Sequence, residues 1–266
     1  MVAALVEGAS INSAVRMTGV SKPTILKLLA DLGMACAKYQ DENIRNLKSR
    51  RVQCDEIWSF CFAKEKNVPE KFKGKFGFGS VWTWTAIDAD SKLMVSWLVG
   101  DRSADTAMVF MNDVATRLAG RIQLTTDGYK PYLVAVADAF DGVPIDYAML
   151  TKIYNEPPTA GNEKRYSPAV CCGARKDEIK GNPDSKHIST SYVERMNLQI
   201  RMGMRRFTRL TNAHSKKLEN HKHALALYFM FYNFARIHST LRVTPAMEVG
   251  IADHVWSIDE IVGLLD

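Results

Sequence analysis

The stretch Val52-Gln53-Cys54-Asp55-Glu56-Ile57-Trp58-Ser59-Phe60-Cys61-Phe62 is rich in β-branched, aromatic and apolar residues, and it predicts a strand. Aspartate is depleted in strands because its short charged side chain competes for backbone hydrogen bonds. Asp55, flanked by Ile57, Trp58 and Phe60, therefore needs a reason. Taken alone, a solvent-facing position on an edge strand explains it about as well as a functional acid does.

Downstream, Ser80 to Ile87 and Lys92 to Val99 are two more strand runs, joined by a hairpin turn at Asp88-Ala89-Asp90-Ser91. Ser103 to Leu118 reads as a helix, with Ala107, Phe110, Met111, Val114 and Leu118 at helical spacing. A short strand (Arg121 to Thr125), a helix (Tyr129 to Phe140) and a strand (Val143 to Tyr154) follow. Residues 155–189 hold four of the nine prolines and three glycines, and read as an irregular insertion. Ser191 to Leu210 and Ser215 to Ile237 read as two long helices. Strands followed by alternating helices and strands imply an α/β fold, a mixed sheet with flanking helices. Ribonuclease H-like domains share this order, which is a fold-level analogy and says nothing of chemistry.

Upstream, Tyr39 to Arg51 is a polar connector, and the first 33 residues form a small all-α unit. Ile11 to Thr18 is helical, Gly19-Val20 breaks it, and Ser21 caps a second helix to about Leu32, with Pro23 tolerated in the first turn and Gly33 closing it. This fits a helix-turn-helix with Val15 and Ile25 inward, so Lys22, Thr24 and Lys27 are candidate major-groove contacts. A helical interaction module imitates the pattern in about one case in three. The expected organisation is a helix-turn-helix unit (1–33), a linker (34–50), a catalytic domain (51–242) with the insertion 155–189, and a tail (243–266).

Two more acids stand out. Asp127 ends the fourth expected strand, where α/β sheets open onto ligand crevices, although a helix cap explains it better in isolation. Glu194 could close a capping box with Ser191. Yet Glu194, Asn197, Leu198, Arg201 and Arg205 fall along one helical face, which is not the stripe of an ordinary core helix. The spacings are 72 (127 − 55) and 67 (194 − 127) residues. In a ribonuclease H-like sheet these positions converge, and converging carboxylates suit hard divalent cations.

The segments Asp-Glu-Ile-Trp (55–58), Thr-Asp-Gly-Tyr-Lys-Pro-Tyr (126–132) and Tyr-Val-Glu-Arg-Met-Asn-Leu-Gln-Ile-Arg (192–201) resemble transposases of the bacterial insertion-sequence-one family. The resemblance continues through Arg-Arg-Phe-Thr-Arg-Leu-Thr-Asn (205–212) and Lys-Leu-Glu-Asn-His (217–221), and covers residues 51 to about 245. Tyr232-Asn233, Arg236-x-His238 and Thr244-Pro245 are similar to the end of the wider integrase-type core. The resemblance implies an Asp-Asp-Glu triad of Asp55, Asp127 and Glu194 holding magnesium, with manganese able to substitute. It also implies metal-dependent cleavage of element ends and transfer of the 3′ hydroxyl into target DNA. Arg201 takes the place of a basic residue two helical turns beyond the glutamate. Members often begin with a zinc ribbon. The five cysteines here (Cys36, Cys54, Cys61, Cys171, Cys172) form no such pattern, so no zinc is expected.

The charge pattern agrees with a nucleic-acid partner. The 266-residue chain carries +6 with a pI near 9.0, and its 47% hydrophobic and 24% charged content is that of a globular protein. Residues 195–217 hold seven cations (Arg195, Arg201, Arg205, Arg206, Arg209, Lys216, Lys217) and no acid, a phosphate-binding surface beside Phe207, with Asn197 a further candidate DNA contact. DNA is the expected partner, bound by a homo-oligomer, with no small-molecule substrate. The N-terminus lacks the basic and apolar regions of a signal peptide, so a cytoplasmic, nucleoid-associated protein without a membrane span is expected. His221 and His223, two apart on a helix, point to different faces, so no zinc site is expected there, and Trp82, Trp84 and Trp97 read as sheet core. Two alternatives keep much of this pattern: a nuclease of the same fold that does not join strands, and a non-catalytic helix-turn-helix regulator.

Overall fold

The computed structural model describes residues 1–155, 170–208 and 211–266. Its strands are β1 (Arg51–Cys61), β2 (Gly79–Asp88), β3 (Met94–Gly100), β4 (Ile122–Asp127), β5 (Ile145–Tyr154) and β6 (Cys171–Lys180). They form one mixed sheet in the order β3-β2-β1-β4-β5-β6. The pairs β1–β2, β2–β3 and β5–β6 are antiparallel, whereas β1–β4 and β4–β5 are parallel. The ribonuclease H-like arrangement expected from the order of elements is therefore the one found.

The helices are α1 (Val2–Val6), α2 (Ile11–Thr18), α3 (Lys22–Asn43), α4 (Ala104–Arg117), α5 (Pro131–Ala139), α6 (Ser191–Gly203), α7 (Leu218–Met230), α8 (Pro245–Glu248) and α9 (Ile258–Gly263). Successive strand side chains alternate between faces, and both faces are covered. Val52, Cys54, Trp84 and Ala86 face Phe110 and Met111 of α4 and Tyr132 of α5. Ile57 and Ile87 face the other way, against Val193, Met196 and Ile200 of α6 and Phe229 of α7. The parity of β1 thus sends Asp55 toward α6 and Glu56 toward α4 and α5.

The N-terminal boundary differs from expectation. α3 does not stop at Gly33 but runs on to Asn43, so the linker 34–50 is largely helix. Leu29, Leu32 and Cys36 continue the apolar period and share one core with α1 and the strands. Gly33 sits inside this helix because a Cβ there would lie 2.4 Å from His223 Cβ, so its role is close helix approach. Gln40 Nε2 donates to the Ala226 carbonyl at 3.0 Å, a further tie between α3 and α7. The helical unit thus packs into the same core as the sheet. The turn itself follows the sequence: Gly19 is left-handed (φ 71°) and the Ser21 side chain caps α3. Ala14 is fully buried on α2, whereas Val15 is half-buried.

The stretch 155–189, expected to be irregular, contains β6. This strand lacks an apolar alternation because it is an exposed edge bearing Arg175, Lys176, Asp177, Glu178 and Lys180, the composition that protects an edge from pairing with other chains. Of that stretch, residues 156–169 lie outside the described set. α6 ends at Gly203, short of the expected Leu210, with one 3-10 turn at Arg205–Phe207. α7 gives way to a π-helical turn at Phe231–Ala235. There the buried Asn233 accepts from Met94 N at 2.9 Å and donates to Met94 O at 3.0 Å, pairing with β3 as a strand neighbour would. The tail packs into the core through Ala246 and Ile261. Trp84 is fully buried, with Trp82 and Trp97 packed beside it. No described helix is long and apolar enough to cross a membrane.

Candidate active site

The parallel register of β1 and β4 sets Cys54 beside Thr126, so the next residues along each strand, Asp55 and Asp127, emerge side by side. One carboxylate oxygen from each of Asp55, Glu56 and Asp127 lies within 4.8 Å of the others. Asp55 Oδ1 accepts from the Glu56 amide at 2.8 Å, and its Oδ2 accepts from Asn197 Nδ2 at 2.8 Å. Asp127 is not the cap of α5, whose N-cap is Lys130, although its Oδ1 accepts the Tyr129 amide at 3.0 Å.

Glu194 approaches from α6 and is close enough to raise the carboxyls of both Asp55 and Asp127. It is not a member of the 4.8 Å group. The capping box is absent, since the N-cap is Thr190 and makes no side-chain cap bond. Instead Thr190 Oγ1 donates to Glu194 Oε1 at 2.5 Å, and Lys152 Nζ pairs with Oε2. Glu194 thus holds its own cation at the edge of the acid group.

Burial and mutual repulsion disfavour ionisation throughout this group. Burial, then Asp127, pushes Asp55 up to about 6. Burial, then Asp127 and Asp55, pushes Glu56 up to about 8 against the opposing pull of Arg102. Asp127 is raised chiefly by burial. Arg102 Nε stands 3.6 Å from Glu56 and its Nη2 3.9 Å from Asp127, with the guanidinium over the rings of Trp82 (4.8 Å) and Tyr129 (4.3 Å). The donors are all carboxylate oxygens, and Glu56 Oε1 is a buried oxygen that accepts no hydrogen bond. That set fits a hard divalent cation. Glu56, Arg102 and Lys152 were not legible as site residues. The one available signal was a second acid directly after Asp55 in an otherwise apolar strand.

Of the residues expected on DNA, Lys22, Thr24 and Lys27 are exposed on the first turns of α3. Thr24 Oγ1 shares the cap with Ser21 Oγ at 2.8 Å, and Lys27 pairs with Asp31 at 3.3 Å. Arg195 and Arg205 are exposed, while Arg201 and Arg206 are half-buried. Arg206 donates to Ser215 Oγ at 2.8 Å. Asn197 is buried, its Nδ2 bonded to Asp55 and its Oδ1 3.5 Å from Thr85 Oγ1, and so faces the acid centre. It lies among Val193, Met196 and Ile200, the apolar face of α6. Arg209 lies outside the described residues. A cleft of about 530 Å³ runs between the N-terminal helices and residues 204–206 and 211–217. Arg16, Lys22, Arg205, Arg206, Lys216 and Lys217 line it, and no described acid does. The Lys216 ammonium is lowered by burial and by Lys22 beside it, so like charges crowd there. His221 is fully buried between Ser59 Oγ (3.3 Å) and Ser215 Oγ (3.0 Å), which leaves it a packing residue.

No family model matches this chain, and no curated protein sequence matches it. Among solved structures it is similar to one described as a piggyBac transposase synaptic complex with hairpin DNA, at 11% identity and a TM-score of 0.30. The match covers 82% of this chain and 52% of that one, so the chain spans about half the length of that structure.

Proposed function

We propose that the chain is a DNA transposase of an insertion sequence, akin to the insertion-sequence-one family, which cleaves element ends and transfers the freed 3′ hydroxyl into target DNA. What carries this reading is the meeting of Asp55 and Asp127, 72 positions apart in sequence, at the open end of two parallel strands. Glu194 completes the proposed triad from α6.

A divalent cation at this site supplies the charge that activates an attacking oxygen and stabilises a leaving one in phosphodiester displacement. The chain's own residues do the rest. Asn197 holds Asp55 by its Oδ2, and the Tyr129 amide holds Asp127 by its Oδ1. Lys152 and Thr190 fix Glu194 at the margin. The cationic cleft carries the DNA backbone, with α3 presenting Lys22, Thr24 and Lys27 to the groove and Arg195, Arg201, Arg205 and Arg206 following the strand. A homo-oligomer on DNA brings two element ends together.

A strand-transfer assay tests the joining step. Pre-cleaved ends of the element that encodes this chain, target plasmid and magnesium are expected to yield joined products. Cleavage without any joined product would leave a nuclease of the same fold, and DNA binding with neither reaction would leave a regulator.

A further inference from the structure

We propose that Glu56, on the opposite face of β1 from Asp55, is a direct ligand of the divalent cation together with Asp55 and Asp127, and that Arg102 is the counter-ion that gives way to it. The inference rests on the acid centre being a metal site and assigns that site its third close donor.

Three observations carry it. Strand parity should separate Glu56 from Asp55, yet a carboxylate oxygen of each lies within 4.8 Å of the other and of Asp127. This happens because β1 runs past the end of β4, whose last residues are Thr126 and Asp127, so both faces of β1 reach the same opening. Next, the Glu56 side chain is only 1% exposed and its Oε1 is buried without a hydrogen bond. A buried carboxyl oxygen left this way is costly unless a proton or a cation serves it. Finally, the cation present is Arg102, whose 3.6 Å and 3.9 Å approaches to Glu56 and Asp127 are too long for hydrogen bonds. Arg102 is 38% exposed and stacks on Trp82 and Tyr129 at the mouth, so it can retreat without leaving a buried gap. Glu194, with Lys152 and Thr190 on its two oxygens, is already partnered at the margin.

A purely structural Glu56–Arg102 pair makes the opposite prediction for one variant. If the pair only braces the fold, removing either partner has the same effect. If Glu56 binds the metal and Arg102 competes with it, the two substitutions diverge.

The test is manganese binding by the full chain without DNA, followed by electron paramagnetic resonance of free Mn²⁺ and by the manganese-induced rise in melting temperature. Glu56→Gln, nearly isosteric, is expected to weaken manganese at least about tenfold, the scale on which even indirect ligand support acts. Arg102→Gln is expected to bind manganese as tightly as the wild type or more tightly. Should Glu56→Gln fail to fold, Glu56→Asp, which withdraws the carboxylate by one methylene, is expected to weaken binding in the same direction. Unchanged affinity in a folded Glu56 variant overturns the inference and leaves the acid centre standing. Equal weakening by Arg102→Gln also overturns it, in favour of a brace. A wild-type chain that binds no manganese overturns both the inference and the reading beneath it.

Discussion

Asn197 Nδ2 donates to Asp55 Oδ2 at 2.8 Å, and this bond fastens helix α6 to the middle of the first strand. The two residues are 142 positions apart, so the acid on β1 is oriented by the helix that also delivers Glu194. Asn197→Ala removes that donor without disturbing the apolar packing of Val193, Met196 and Ile200. Magnesium-dependent cleavage is expected to fall about 10- to 100-fold with little loss of folding, the usual effect of removing a hydrogen bond to a metal-binding group. Cleavage rate and thermal melting of the purified variant check it, and a wild-type rate would show that Asp55 needs no such support.

Gly33 makes a second relationship measurable. A Cβ at this position meets His223 Cβ at 2.4 Å and Cα at 2.6 Å, so α3 and α7 must separate to admit it. Gly33→Ala is expected to destabilise the chain by about 1–3 kcal/mol, the cost of overpacking, despite alanine's better helix propensity. Urea denaturation reads this directly. A stabilised variant would mean that the helices do not approach so closely.

Glu56 predicts a pH dependence in the absence of divalent cations. Its ordinary value is 4.5 and burial beside Asp127 and Asp55 raises it to about 8 in the folded chain. Between these values the unfolded chain is ionised while the folded one still binds the proton. The contribution of Glu56 is therefore fully present below 4.5 and is lost as pH rises through about 8. Melting temperatures in chelator, taken as wild type minus Glu56→Gln, are expected to decline across that window; subtraction removes the opposing acid-side contribution of buried His221. A flat difference contradicts the assignment.

The cationic cleft predicts a salt signature. Each phosphate neutralised by a cation adds about 0.9 to the slope of log affinity against log salt. Lys216→Gln and Lys217→Gln, both lining the cleft, are expected to weaken DNA binding on every sequence tested and to flatten that slope by about 0.9 for each phosphate no longer neutralised. Fluorescence anisotropy over a salt series checks it, and an unchanged slope places the DNA elsewhere.

Much of the fold was readable because its strands alternate or run apolar and its helices carry clear periods. Asp55 stood out as an acid in a strand and Asp127 as an acid at a strand end, and parallel pairing then did what sequence could not specify: it set them side by side. β6 was hidden because a charged edge strand has no buried face to imprint a pattern. Gly33 looked like a helix stop because local preference cannot see His223 on a helix nearly two hundred residues away. Asn197 shares a helical face with Glu194 in the sequence, but its bond to Asp55 depends on a strand 142 positions away and is not legible from spacing. Glu56 was obscured by the parity rule itself, which assigns neighbours to opposite faces except where a strand outruns its partner.

The most direct measurement is magnesium-dependent cleavage of DNA bearing the element's ends by wild-type chain and Asp127→Asn. The wild type is expected to nick at the element boundary, and the variant to bind the same DNA while losing cleavage almost completely. Full cleavage by Asp127→Asn would contradict the assignment of the reaction to this acid centre.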